Sequence, residues 1–249
     1  MNKGIERNYI ILGAGGHAVV IADILYKCGN AIKGYLDDAI PEGTEILGAK
    51  VLGKISDCNR YREYSFIIGI GDNKTRKHVA EAYSLEYGTA IHPSATIGQQ
   101  VEIGSGTVVM AGCVINPRTV MGRHCIVNTA ASIDHDNVIS DYVHVSPGAA
   151  IGGTVTIGAG AHVGLGASIK NNIRICDEAV IGAGAVVVKT LSFRALVLEY
   201  QRRKSTANLN EFRSKVEQGQ VLHDQSCKLT ANPAQCGIRE ADEKSTYPY

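Results

Sequence analysis

Residues 131–169 read ASIDHDNVISDYVHVSPGAAIGGTVTIGAGAHVGLGASI, and every sixth residue from Ile133 onward is Ile or Val. The same phase continues in both directions, so that seventeen successive sixth positions from Ile91 to Val187 are apolar. All of them but Met121 are β-branched, and glycine often follows the apolar residue. An unbroken period of six predicts a β-solenoid, in which one β-branched side chain per hexad points inward and glycine lets the chain turn a corner.

The composition of the chain argues against several classes of protein. The 249 residues carry a formal net charge of +1 and no dominant basic stretch, so we do not expect nucleic acid as a partner. No apolar run approaches the roughly 20 residues of a membrane span, and no signal-peptide pattern opens the chain. We therefore expect a cytoplasmic protein without membrane insertion. The seven cysteines form no CxxC pair, which indicates reduced thiols.

The residues before the repeats, 1–88, are predicted to form a separate nucleotide-binding domain. A short apolar strand at 9–12 runs into a glycine turn, and a helix with one apolar face follows at 19–27. Two further strands are expected at 32–36 and 66–70. This order is a β-α-β-containing half of a nucleotide-binding fold.

The glycine turn of this domain is Gly13-Ala-Gly15-Gly16-His17, which satisfies the loose dinucleotide pattern. A full dinucleotide fold needs two such halves, and only about 80 residues precede the repeats, so a mononucleotide or nucleotide-sugar fits better. Backbone N–H groups of the turn and the helix N-terminus would face phosphate. Asp37 and Asp38 end the second strand and would accept hydrogen bonds from a ribose or base, or else form a solvated strand end.

The hexads themselves resemble the left-handed parallel β-helix of acyltransferases, in which three hexads form one triangular coil. On that plan His135 lies next to Gly153 in the neighbouring coil, about 4.8 Å along the solenoid. The carboxylate of Asp136 can orient the imidazole, and the bare Gly153 N–H can face an oxygen. A base, its carboxylate and a free amide are the minimum equipment for acyl transfer, although a solvated surface histidine is the alternative.

Five motifs in order make the resemblance specific and extend it over residues 8–189. The chain is similar to the bacterial sugar acyltransferases that include UDP-4-amino-sugar N-acetyltransferases of the bacillosamine pathway and sialic acid O-acetyltransferases. The resemblance implies a Rossmann-like α/β half domain followed by a left-handed parallel β-helix at residues 89–190. The motifs are Gly13-Ala-Gly15-Gly16-His17, Gly34-Tyr-Leu-Asp37-Asp38, Ile68-Gly-Ile-Gly71-Asp-Asn73, Asn128-Thr-Ala-Ala-Ser-Ile-Asp-His135-Asp136 and His144-Val-Ser-Pro-Gly148.

The resemblance also implies roles for individual residues. His135 would be the general base, Asp136 would stand where the family more often has Glu, and Gly153 would donate the oxyanion hydrogen bond. Acetyl-CoA would lie in the groove between subunits of a homotrimer, and no metal is expected. The residues implied to touch the coenzyme are His144, Gly164 and Leu165; those implied to hold the nucleotide of the sugar are Gly15, Gly16, His17, Asp37, Asp38 and Gly71.

The function implied is acetyl-CoA-dependent N-acetylation of a nucleotide-linked amino sugar in surface glycan synthesis. O-acetylation of a sialic or related sugar is the nearest alternative, and a non-catalytic nucleotide-sugar-binding scaffold is an alternative of another class. Some solenoids of this shape resemble γ-type carbonic anhydrases with three histidine ligands to zinc. Those enzymes carry two histidines separated by four residues, and no pair here has that spacing.

The segment after Lys189 does not continue the family pattern. Residues 191–249 lack the usual Gly-x-Pro-Ala turn that borders the coenzyme, and the repeat phase breaks. We expect helices within 193–218 and disorder from 223 onward. Two explanations stay open: an appended partner-binding segment, or sequence from a shifted reading frame that replaced the native ending.

Overall fold

The structure is a computed structural model that describes residues 8–192 and the backbone of residues 196–197. All of these residues belong to one compact unit of the chain. Within it, a small α/β domain precedes a long parallel β-solenoid.

The front domain is a three-stranded parallel sheet with two helices. Strand β1 lies at the centre of the order β2-β1-β5, which is the arrangement that a right-handed β-α-β crossover produces. Most residues of β1 and all residues of β5 are buried, because helices and the solenoid cover the sheet. The elements are β1 Asn8–Leu12, α1 Gly16–Lys27, β2 Ala31–Leu36, a hairpin of β3 Glu45–Ile46 and β4 Ala49–Lys50, a 3₁₀-helix Ile55–Tyr61, β5 Ser65–Ile68 and α2 Asn73–Ala82.

The solenoid consists of very short strands, and each pairs in parallel with the third strand before it and the third strand after it. They form three sheets, which we call the first (β7, β10, β13, β16, β19, β22), second (β8, β11, β14, β17, β20) and third (β6, β9, β12, β15, β18, β21, β23). The strands are β6 Ala90–Ile91, β7 Thr96–Ile97, β8 Glu102–Ile103, β9 Val108–Val109, β10 Val114–Ile115, β11 Val120–Met121, β12 Ile126–Val127, β13 Ser132–Ile133, β14 Val138–Ile139, β15 His144–Val145, β16 Ala150–Ile151, β17 Thr156–Ile157, β18 His162–Val163, β19 Ser168–Ile169, β20 Arg174–Ile175, β21 Val180–Ile181, β22 Val186–Val187 and β23 Leu196–Val197.

The interior of the solenoid is the apolar column that the sequence predicts. The inward residue of each hexad is buried from Val109 to Val187. The first three are not, and Ile97 is 37% exposed, because the first coil has a neighbour on one side only. Small residues such as Ala131 and Ala149 complete the core beside the β-branched ones.

The corners of the triangle lie three residues after each of the fifteen inward residues from Ile97 to Ile181, where the backbone has a positive φ. Nine of these fifteen positions hold residues other than glycine, so glycine is not what turns the chain. The glycines that follow inward residues serve close approach instead: a Cβ on Gly152 would lie 2.7 Å from the backbone N of Asn171. We name the corners by their residues: first (Gln100, Arg118, Asp136, Thr154, Asn172), second (Gly106, His124, Tyr142, Gly160, Glu178) and third (Gly112, Ala130, Gly148, Gly166, Gly184).

A buried arginine fastens the front domain to the second corner. Arg76 of α2 is 1% exposed and donates from Nε to the His124 carbonyl (2.8 Å) and from Nη2 to the Tyr142 carbonyl (2.9 Å). It also donates to the carbonyl of Gly71 at the end of the front sheet. Asn73 adds two hydrogen bonds to carbonyls of the solenoid. The two domains are therefore joined through backbone acceptors of both.

The described C-terminal end corrects one expectation from the sequence. Leu196–Val197 is a strand, not part of a helix, and it pairs in parallel with β21 of the third sheet. The step along the chain from Val180 to its partner Leu196 is shorter than the regular step from His162 to Val180. The solenoid thus continues after Val187 with a phase shifted by two residues. The other expected helices and the expected disorder fall outside the described residues.

Candidate active site

His135 lies at the first corner between two neighbouring coils. Its Nδ1 is 2.6 Å from Oδ2 of Asp136, and its side chain is about half exposed. The pair follows β13, whose register with β10 and β16 is fixed by the inward residues. The backbone carbonyl of His135 accepts from Thr154 of the next coil, so the loop itself is held in place.

The carboxylate of Asp136 is ionised, and both of its oxygens accept hydrogen bonds. Arg118, one coil earlier, donates from Nε to Oδ1 (2.6 Å) and from Nη2 to Oδ2 (2.7 Å). These hydrogen bonds, followed by the one with His135, lower the pKa of Asp136 to about 2. An ionised carboxylate can only accept, so Nδ1 of the neutral imidazole carries the proton and Nε2 holds the lone pair. This is the tautomer that a general base at Nε2 requires.

Gly153 stands directly against the imidazole. A Cβ at this position would lie 2.8 Å from both Cε1 and Nε2 of His135. At the equivalent position of the preceding coil, the His135 N–H donates to the side-chain Oδ1 of Asp134 (2.8 Å). Gly152 has no side chain to do this, and within residues 8–192 the Gly153 N–H donates to no acceptor. A free amide beside an imidazole is suited to bind an oxyanion.

A cavity of about 390 Å³ opens at this corner. Asp134 lines it, with Oδ2 3.9 Å from Nε2 of His135. The Asn116 amide donates to Oδ1 of Asp134 (2.8 Å), and this bond, with the His135 N–H, lowers the pKa of the Asp134 carboxyl. Two anionic carboxylates therefore flank the imidazole. The other lining residues are Gly152, Gly153, Thr154, Ile169, Lys170, Asn171 and Asn172.

The glycine loop of the front domain is shaped by Asp37. Its Oδ2 accepts from the Ala14 N–H (2.7 Å), and its Oδ1 accepts from Ala39 and Ile40 (2.8 Å each). Burial raises the pKa of this carboxyl, but the three backbone donors outweigh burial and lower it. Asp38 likewise accepts from Ile55 N–H. Both aspartates hold loops of the protein.

The N-terminus of α1 is open for a ligand. Gly15 caps the helix without a side-chain hydrogen bond, and neither Gly15 nor Gly16 has an atom within 4 Å of where a Cβ would stand. Gly71 is equally open. Uncapped N–H groups at a helix start attract anionic groups such as phosphate.

Three histidines line the junction between this loop and the third sheet. The His17 ring lies 6.5 Å from that of His144, which stacks on His162 at 4.8 Å. Burial, followed by the charge of Arg76, lowers the pKa of His17 to about 4. Burial, followed by His162, lowers the pKa of His144 to about 3. Both rings are neutral at pH 7, and His17 Nε2 and His144 Nδ1 have no hydrogen-bond partner in the described part of the chain.

The predicted residues thus fall into separate groups. His135, Asp136 and Gly153 meet at the first corner, whereas His17, which follows Gly15 and Gly16 in the chain, lies near His144 of the third sheet. Leu165 is 57% exposed at the third corner, beside Gly164, whose missing Cβ would lie 2.5 Å from the Ile181 carbonyl oxygen. Within residues 8–192, no side-chain hydrogen bond or ring contact joins the front domain to His135 or Asp136 at the first corner.

Comparison with known proteins extends over both domains. The model of the PglD N-terminal domain family matches residues 8–83. PerB from Caulobacter crescentus, solved in complex with CoA and GDP-perosamine, is 34% identical, with a TM-score of 0.70 over 74% of this chain and 90% of that chain. The acetyltransferase domain of PglB from Neisseria gonorrhoeae is 32% identical, with a TM-score of 0.74 over 78% of this chain and 97% of that chain. The chain belongs to the sugar acyltransferase family.

A curated relative of this chain is the UDP-N-acetylbacillosamine N-acetyltransferase of Bacillus subtilis, which is 38% identical over 107 residues. That alignment covers 40% of this chain, and the chain spans half the length or less of the curated relatives it matches. The family and the fold predicted from the sequence, a Rossmann-like half domain followed by a left-handed parallel β-helix, are confirmed. No helix of the described residues is long and apolar enough to cross a membrane.

The sequence analysis missed three contacts that the structure shows in or near the candidate site and at the junction of the two domains. The contact of Arg118 with Asp136 could have been predicted from spacing alone, because Arg118 lies one coil before Asp136. Asn116 has the same relation to Asp134. Arg76 gave no such signal, since its acceptors are backbone carbonyls that no pattern of side chains reveals.

Proposed function

We propose that this chain transfers the acetyl group of acetyl-CoA to the amino group of a nucleotide-linked sugar, in the synthesis of a surface glycan. The observation that carries the proposal is the His135 imidazole, held by Asp136 at Nδ1, with Gly153 close against its Cε1 and Nε2 edge. PerB, the relative solved with CoA and GDP-perosamine, and the curated N-acetyltransferase support the same chemistry.

The reaction follows from the positions of these atoms. The sugar amine attacks the thioester carbonyl while Nε2 of His135 accepts its proton, and the carbonyl oxygen becomes an oxyanion that accepts from the Gly153 N–H. Collapse of this intermediate breaks the carbon–sulfur bond, and the imidazolium returns the proton to the leaving thiolate. The acetyl group passes directly to the amine, without a covalent enzyme intermediate.

The carboxylates around the base favour an amine over a hydroxyl as acceptor. A free sugar amine reaches the site as an ammonium ion, and Asp134 and Asp136 are anionic near His135. Their charge attracts the cation, which releases one proton to solvent before the neutral amine attacks and gives a second proton to His135. A neutral hydroxyl of a sialic acid gains nothing from this charge, so O-acetylation is the weaker candidate.

The complete site is proposed to form between copies of the chain, in a homotrimer. Within one chain, the glycine loop faces the third sheet while His135 stands at the first corner, so the acceptor must be presented by another copy. Val114, Val120 and Val138 flank the first corner and are 36%, 42% and 47% exposed, which provides an apolar surface for that copy.

The binding residues keep the roles proposed from the sequence, with one change. Gly15, Gly16 and His17 would hold the nucleotide-sugar, since they form the open N-terminus of α1. Gly71 would leave room for the same ligand, because nothing lies within 4 Å of where its Cβ would stand. Asp37 and Asp38 would act through the loops they hold. The residues proposed to contact acetyl-CoA between subunits are His144, Gly164 and Leu165.

The chemistry is tested by release of CoA thiol from acetyl-CoA with a panel of UDP-, GDP- and CMP-linked amino sugars and with sialic acid. We expect turnover with an amino sugar and a loss of roughly 10² to 10⁴ in kcat for His135→Ala, because that is what a general base contributes. Nucleotide-sugar affinity should not change. Full activity of the variant would overturn the assignment, and a protein that binds the sugar but not acetyl-CoA would be a scaffold.

The shared site is tested by complementation. Gly15→Asp retains a good helix cap but places a negative charge where phosphate would bind. Mixed oligomers of Gly15→Asp and His135→Ala chains should regain activity, because some sites then combine an intact loop with an intact base. No recovery in mixed oligomers verified by mass would mean that each copy holds a whole site.

A further inference from the structure

Arg118 and Asp136 occupy equivalent corners of neighbouring coils. Their φ angles are 62° and 58°, and the same backbone conformation directs both side chains outward from the first corner in the same sense. The coil spacing of about 4.8 Å brings the guanidinium onto the carboxylate as a two-pronged pair. The two hydrogen bonds are 2.6 and 2.7 Å long.

This pair selects one orientation of the Asp136 carboxylate. A short Asp side chain reaches Nδ1 of the preceding residue in few conformations, and a planar guanidinium fixes both oxygens at once. The Asp136 oxygen that meets Nη2 of Arg118 is Oδ2, the same atom that lies 2.6 Å from Nδ1 of His135. The orientation that satisfies the arginine is therefore the one that orients the base.

We propose that Arg118 is a positioning residue for acyl transfer: it holds Asp136 against Nδ1 of His135 and thereby keeps Nε2 unprotonated toward the acceptor. The catalytic part of this inference rests on the proposed function. Nothing else in the described structure bonds to the Asp136 carboxylate besides Arg118 and His135. The remaining charged groups that face the imidazole are Asp134 on the same coil and Lys170 on the lining of the cavity.

The pair is placed for orientation rather than for stability. Arg118 is 59% exposed and Asp136 is 33% exposed, and exposed ion pairs contribute little to folding because water screens them. Removing the guanidinium should therefore leave the melting temperature almost unchanged. A role in positioning and a role in folding make different predictions for the same variant.

The first test reads the imidazole directly, without any substrate. In the full-length protein with ¹⁵N-labelled histidine, at alkaline pH where imidazoles are neutral, we expect the Nδ1–H tautomer of His135. Arg118→Ala should shift the signal toward the Nε2–H tautomer, and Arg118→Lys, which donates as a point charge, should restore it in part. The control is Arg60→Ala, which removes an exposed arginine paired with Asp57 in the front domain.

The second test is a kinetic double-mutant cycle. Arg118→Ala should lower kcat roughly tenfold, as loss of a group that orients a site residue commonly does, with KM unchanged for both substrates. In an Asp136→Asn background, Arg118→Ala should have no further effect, because the carboxylate it orients is gone. Arg60→Ala should match the parent protein throughout.

An unchanged tautomer in Arg118→Ala would overturn the proposal, as would additive losses of kcat in the cycle. A lower melting temperature with an unchanged tautomer would assign Arg118 to folding instead. If no sugar is acetylated by the parent protein, the proposed function fails while the tautomer still decides the role of Arg118.

Discussion

Adding a single methyl group at Gly153 tests how closely the His135 imidazole, the proposed general base, must be held. In Gly153→Ala the new Cβ would lie 2.8 Å from Cε1 and Nε2 of His135, whereas non-bonded carbon atoms settle at about 3.5–4.0 Å. The imidazole must therefore move by roughly 1 Å. The φ of Gly153 is not positive, so the backbone accepts alanine without strain.

The effect should fall on turnover and not on folding. The displaced group is a half-exposed side chain, and the Gly153 N–H that would serve the oxyanion remains. A misplacement of about 1 Å can reduce a rate by around 10², so we expect a loss of roughly 10- to 100-fold in kcat, measured by release of CoA thiol under saturating substrates. Affinity for the nucleotide-sugar should be unchanged.

Gly112→Ala is the matched control within the solenoid. Gly112 has a φ of +69°, and its added methyl would meet nothing closer than 3.9 Å. This variant should lower the melting temperature slightly through backbone strain and leave kcat unchanged. A kcat of Gly153→Ala within twofold of the parent protein would show that the imidazole moves freely, and the reasoning from its position would fail.

Other perturbations give equally specific outcomes. Asp37→Asn leaves an acceptor for one side of its loop but removes the one for the glycine turn, so KM for the nucleotide-sugar should rise about tenfold while KM for acetyl-CoA stays constant. Arg76→Met leaves carbonyl oxygens in both domains without a donor. Chemical denaturation should show that the free energy of unfolding falls by roughly 3 kcal/mol or more; a smaller loss would mean that water replaces the guanidinium. Burial, followed by the charges of Arg123 and Arg76, lowers the pKa of fully buried His124 to about 4. Between pH 6.5 and about 4 the His124 imidazole is therefore protonated in the unfolded chain but neutral in the folded chain. Stability should therefore fall as the pH drops from 6.5 to about 4, by up to about 3 kcal/mol from this residue, and His124→Gln should flatten that part of the curve in thermal unfolding; an unchanged slope would contradict the shift.

The solenoid could be predicted from sequence because its determinants are local and repeated. A single β-branched residue per hexad reports the inward direction at Ile133 as well as at Ile157, and the phase carries from coil to coil. The corner geometry was harder to predict, since a positive φ is met by residues as different as Arg118 and Tyr142. The strand at Leu196–Val197 escaped because two residues are missing from the register at that point.

The candidate site was predictable only where chemistry and spacing coincide. His135 and Asp136 are adjacent in sequence, and the coil length places Gly153 beside them. The position of the front domain on the solenoid was not predictable. Arg76 of the front domain binds backbone carbonyls of the solenoid, and every sequence has such carbonyls. The hydrogen bonds that Asp37 makes within the protein were not predictable either, because its partners are backbone amides of nearby loops.

The regular register of the coils also limits how the coding sequence of this protein can change length. We expect an added codon at a corner to produce a small outward bulge, since a bend that faces solvent has room for one more residue. We expect a lost codon to shift the following strand out of register, because each short strand is soon followed by a corner with its own required backbone angle. Within the regular coils, shortening that keeps every strand in phase must remove a whole coil of three hexads at once, since each strand pairs with the third one along the chain. A deletion in this gene can therefore preserve the reading frame and still disrupt the fold.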